Sequence, residues 1–146
     1  MANYNCAVRI NYFKVKDEKA FLSLMEKAQG GEDGIQVFTL ENKDKEGKTT
    51  RLYGFGCYGG ISGLLTGDSE YCDYDYEAFL KGLQECVADD DAILIMEVGN
   101  ENLRFVIGTV DVITSKEISY VNMTEAATKM AAEMLGRPDY TTRCEY

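Results

Sequence analysis

The side chains most often recruited for proton transfer and nucleophilic attack are thinly represented. No histidine occurs in the 146 residues, which removes Ser-His and Cys-His pairs, the imidazole general base and the commonest zinc ligand together. The five cysteines, Cys6, Cys57, Cys72, Cys86 and Cys144, are odd in number and far apart, with no Cys-x-x-Cys pair to hold zinc or run a redox cycle. Cys57 and Cys144 are the candidate reactive thiols, and only Arg143 beside Cys144 would help to ionise one. Cys6 and Cys86 read as core residues. The string Gly54 to Gly59 matches G-x-G-x-x-G, which binds a pyrophosphate only where a helix opens at the last glycine. Here Gly60, Ile61, Ser62 and Gly63 follow, a poor helix, so the glycines are expected at a bulge or where a helix crosses close to the sheet.

Asp73, Asp75 and Glu77 begin like a calcium loop, but Ala78 and Gln84 stand where that loop needs glycine and glutamate. Weak surface binding of a divalent cation by Asp68, Glu70, Asp73 and Asp75 is all that remains of a metal site, so no metal and no cofactor is expected. Paired carboxylates for glycoside hydrolysis need a cleft that raises one pKa, and a polar acidic loop provides none. These residues point away from catalysis.

What the acids do form is a local field. The net charge is −10, and residues 66 to 91 hold nine acids against Lys81 alone. Such a field repels a phosphate backbone and an anionic membrane, and suits a basic protein surface. The candidate contacts are Asp68, Glu70, Asp73, Asp75, Glu77, Asp89, Asp90 and Asp91, with Tyr74 or Tyr76 as an aromatic anchor. Extended carboxylates at alternate positions lie roughly 6.6 Å apart, against about 3.4 Å per charge on one DNA strand. Imitation of DNA therefore needs a second row, from Glu85 and Asp89 to Asp91 or from a second subunit. The competing explanation is that the acids only keep the chain soluble.

The elements that must position these residues follow from periodicity. The composition, 45% apolar with one proline, describes a single domain over residues 1 to 146 whose core needs no disulfide. The odd, scattered cysteines fit a reducing cytoplasm. No signal-like opening and no long apolar run is present. Alternation predicts a strand from Cys6 to Val15. Asp17 caps a helix through Phe21, Leu24, Met25 and Ala28 that Gly30 and Gly31 stop. Ile35 to Glu41 and Thr49 to Tyr58 form a hairpin, and Asp75 caps a second helix bearing Phe79, Leu80, Leu83, Cys86 and Val87. Strands at Ala92 to Val98, Leu103 to Ile113 and Ile118 to Val121 make a meander. Asn122 with Glu125 then caps a last helix that stops at Gly136. The order predicts an α+β fold: an antiparallel sheet of five to six strands with helices mainly on one face, a ferredoxin-like βαββαβ core plus a β-hairpin and a C-terminal helix. Val8, Ile10, Phe21, Leu24, Leu83, Val87, Ile95 and Met130 are expected inside.

Met1 to Arg9, followed by Asn11, Tyr12 and Phe13, and the closing Glu133, Met134, Leu135, Gly136, Arg137 and Pro138 resemble a group of small acidic proteins of unknown function from mobile elements and phages of Firmicutes. The resemblance spans the chain and supplies no catalytic motif. It implies a setting in which small acidic proteins block host defence, of anti-CRISPR or anti-restriction type. The leading expectation is a non-enzymatic inhibitor or adaptor that occupies the basic nucleic-acid-binding surface of a protein partner, such as a host defence nuclease complex, with no direct nucleic acid contact. The alternative is a self-associating structural or binding module, a homodimer through a sheet edge or the C-terminal helix, whose acids serve solubility.

Overall fold

The computed structural model describes residues 4–66 and 73–143. Strand β1 (Tyr4–Ile10) lies near the middle of a six-stranded antiparallel sheet, and its alternation turns Val8 and Ile10 into the core. Asn11 ends it, with its side chain holding Ala92 O at 2.9 Å and Leu94 N at 2.7 Å, so the strand stops short of the expected Val15. Phe13 and Val15 contribute only single bridges, to Tyr53 and Val87.

Helix α1 (Glu18–Lys27) is capped by the Asp17 carboxylate, as expected, and ends at Ala28 in a short strand β2 (Ala28–Gly30) ahead of the expected glycine stop. The hairpin of β3 (Gln36–Lys43) and β4 (Thr49–Tyr58) follows. The glycine-rich passage holds a further strand, β5 (Ile61–Leu65), which joins β2 and the two-residue β6 (Tyr74–Asp75) in a second, three-stranded sheet, and the expected bulge lies within it, with Ser62 extra between the pairs Gln29–Gly63 and Gly30–Ile61. Alternation could not show it, because glycines hide the period of two.

Helix α2 (Tyr76–Cys86) is capped by Asp75, whose carboxylate accepts Ala78 N at 2.9 Å. Gly63 lets this helix start close over β5, since a Cβ there would lie 2.5 Å from Asp75 O. Strands β7 (Ile93–Glu101), β8 (Phe105–Ile113) and β9 (Ile118–Asn122) form the expected meander. The large sheet runs β3-β4-β1-β7-β8-β9, every pairing antiparallel.

Helices α1 and α2 cover one face of this sheet. Between them and the strands lies an aromatic core in which Phe21 meets Phe13 edge-on at 5.4 Å and Phe55 meets Phe79 at 5.9 Å. Of the residues expected inside, Val8, Ile10, Phe21, Leu83, Val87 and Ile95 are buried and Leu24 packs against them half-buried. Met130 is the exception: it is 61% exposed. The reason is α3 (Met123–Leu135), which leaves the sheet at β9 and buries none of its side chains.

Candidate binding surfaces

The acids expected to act together occupy the two ends of α2, about 16 Å apart for eleven residues of helix. At the N-terminal end, Asp73, Tyr74 and Glu77 are exposed, while Asp75 is engaged as the cap. Tyr76 is not an outward anchor: it is half-buried, and its hydroxyl donates to Asp111 at 2.6 Å. Asp68 and Glu70 lie outside the described residues, as do Tyr71, Cys72 and Cys144.

Beyond the C-terminal end, Asp89 pairs with Lys16 at 2.9 Å and Asp90 with Lys14. Those lysines hold both carboxyls below the usual carboxylate range. Asp91 accepts Lys14 N and Ala92 N, each at 2.8 Å, and so fastens the turn before β7 to the segment after β1. Three neighbouring acids thus bind the chain's own lysines and amides. Linear charge counting missed this because Lys14 and Lys16 are distant in sequence.

A small cleft of about 210 Å³ opens between α2, β5 and the sheet, lined by Val8, Ile61, Tyr76, Ile95, Glu97, Thr109 and Asp111. Two phenol–carboxylate pairs meet here, Tyr76 with Asp111 and Tyr4 with Glu97 at 2.9 Å. Burial first, and the accepting carboxylates second, push both phenols well above the ordinary tyrosine value. The sequence signal for this cleft was an acid at inward-facing strand positions, Glu97 opposite Val8 and Asp111 opposite Ile95. Burial also raises the thiols of Cys6, Cys57 and Cys86, so none of these free cysteines is an activated nucleophile. Among the described residues no group of histidine, cysteine, aspartate or glutamate side chains forms a metal site. None of their helices is long and apolar enough to cross a membrane.

A further set of exposed apolar residues lies elsewhere. Helix α3 has the cap expected of it, Asn122 Oδ1 accepting Glu125 N at 3.1 Å, and a left-handed Gly136 at its end. Met123 rests against Gly108, on the sheet face turned away from α1 and α2, and beyond this contact the helix carries Met130 at 61% and Met134 at 84% exposure. The same sheet face leaves Met96, Val98, Val106 and Val121 exposed. Exposed large apolar side chains thus recur on this helix and on this sheet face, and where such residues gather they mark an interaction surface. The returning tail, through Tyr140 and Thr142, lines the other side of α3 across a groove of about 290 Å³. The stripe was legible in the sequence; that it faces solvent was not, because period alone does not say what an apolar face meets.

No family model, no curated protein and no solved structure matches the chain.

Proposed function

We propose that this chain is a non-enzymatic, cytoplasmic protein-binding module whose working surface is α3 with the adjoining apolar face of β7, β8 and β9. One observation carries the reading: a capped, well-formed helix of thirteen residues buries no side chain while exposing its methionines. In water such a helix draws most of its stability from packing an apolar face, so its partner is to be sought outside the chain. The inert thiols and the absence of histidine from the sequence support a role without chemistry. For the core we propose the ferredoxin-like split βαβ arrangement, on the order β3-β4-β1-β7 and the placement of α1 and α2 on one face.

The test is a photo-crosslinking side chain placed at Met134 in cells, with Lys45, exposed in the β3–β4 turn, as control. Protein adducts at Met134 and none at Lys45 are expected. Absence of any adduct at Met134 would overturn the reading.

A second reading, an anti-defence inhibitor from a mobile element that docks its acids on a basic surface, is favoured by the joint exposure of Asp73, Tyr74 and Glu77. It requires D73N/E77Q to slow association with the partner and to weaken its salt dependence.

A further inference from the structure

We propose that the occupant of the α3 surface is a second copy of this chain, its α3 running antiparallel to the first about a two-fold axis that passes between Lys129 and Glu133 on the flank away from Ala131 and the tail. The inference rests on the binding-module reading above and supplies the partner.

The first argument is charge. The chain carries −10, yet residues 118 to 143 hold three acids and three bases. A copy of so acidic a protein is repelled over most of its surface, and the neutral stretch is the one that exposes the apolar helix. Helix α3 itself carries Glu125 and Glu133 against Lys129, a single net negative charge that favours neither a basic nor an acidic partner strongly.

The second argument is order. Glu125, Lys129 and Glu133 follow one another at intervals of four, a row along α3 that alternates in sign, while Arg137 lies past the left-handed Gly136 that ends the helix. Among the described residues none of the four makes an ion pair within the chain, and Arg137 only stacks on Tyr140, 5.8 Å from its ring. Read backwards, the central step from Lys129 to Glu133 has the opposite sign at each position. Two copies in parallel register would set like charges together at each rung. Two antiparallel copies crossing midway between Lys129 and Glu133 set Lys129 against the partner's Glu133, and Glu133 against the partner's Lys129. An isologous contact requires such self-complementarity.

The third argument is shape. Ala126, Met130 and Met134 lie beside this row at helical spacing, and the exposed methionines supply adaptable apolar contact where the axis passes. The tail blocks the opposite flank, so approach is open on the methionine side.

The experiment uses the full chain, with light scattering and sedimentation to read mass. The native protein is expected at twice its 16.3 kDa. K129E and E133K should each weaken the dimer about tenfold, because both symmetry-related central rungs change sign. Mixing the two variants one to one should restore a dimer containing one copy of each, since every central rung is again opposite in charge. Far-UV circular dichroism of each variant keeps a lost helix from being read as a lost contact. A native monomer overturns the inference, as does a dimer indifferent to both substitutions or a mixture that fails to recover. If the native chain is monomeric but crosslinks at Met134 to another protein, the second copy is refuted while the binding-module reading stands. A monomer without adducts refutes both.

Discussion

The hydroxyl of Tyr76 donates a 2.6 Å hydrogen bond to Oδ2 of Asp111, pinning the first turn of α2 to the middle of β8. Burial and the accepting carboxylate both favour the neutral phenol in the folded protein. The folded pKa therefore lies above the unfolded one, and the folded state keeps its proton where the unfolded state has lost it. The stability this gives is complete below the ordinary tyrosine value near 10 and is lost as pH rises from there toward the folded pKa. Tyr76→Phe should lower stability near neutrality by roughly 1–2 kcal/mol. The gap to the native protein should narrow by about 1 kcal/mol between roughly pH 9 and pH 11. Urea midpoints at the two pH values decide it, and a gap of constant size would refute the assignment.

The acids after α2 should behave unlike those before it. Asp91→Ala removes an acceptor from Lys14 N and Ala92 N, both part-buried. It should cost about 1–3 kcal/mol. D73N/E77Q removes exposed charges with no side-chain hydrogen bond to another residue among the described residues and should leave the unfolding midpoint within about 0.5 kcal/mol of native. Equal losses in the two variants would contradict this division.

The division also shows what a sequence can reveal. The caps Asp17, Asp75 and Asn122 were legible because each acts on an amide three residues away, and the meander was legible through alternation. The bonds of Lys14 and Lys16 to Asp89, Asp90 and Asp91 join residues more than seventy positions apart, so no local pattern announces them. Tyr76 and Asp111 were hidden likewise: Tyr76 looked like an exposed anchor among acids, and only the fold of α2 onto β8 turns it inward. Strand β5 was missed because Gly59, Gly60 and Gly63 interrupt the side-chain pattern.

At Gly63 strand β5 lies close against β6 and the start of α2. This glycine has φ of +116°, and a Cβ would meet Asp75 O at 2.5 Å and Tyr76 Cα at 2.7 Å. Gly63→Ala adds backbone strain and a clash with main-chain atoms that cannot move independently, and should cost at least about 2 kcal/mol. Gly47, also at positive φ but with open space around it, supplies the control, and Gly47→Ala should cost only about 1 kcal/mol. Thermal melts of the two variants would show it; equal shifts would mean that φ alone matters.

Helix α3 should be the least protected helix of the isolated chain and the one that gains protection on association. Its amides are hydrogen-bonded within the helix, but no buried side chain ties it to the core, whereas α2 buries Phe79, Leu80, Leu83 and Cys86. Opening α3 therefore exposes little apolar surface and proceeds without unfolding the sheet. In dilute protein its amides should exchange well ahead of those of α2. Raising the concentration should slow α3 and leave α2 unchanged, because only a second copy covers the helix. Asn122→Ala removes the acceptor for Glu125 N and should raise the opening equilibrium of α3 roughly fivefold, as a cap is worth about 1 kcal/mol. The global melt should hardly move, because the core does not depend on this helix. Hydrogen exchange followed by mass spectrometry at two concentrations checks each step. Protection of α3 equal to that of α2 in dilute solution would mean that it packs on its own chain, and the surface proposed for binding would be closed.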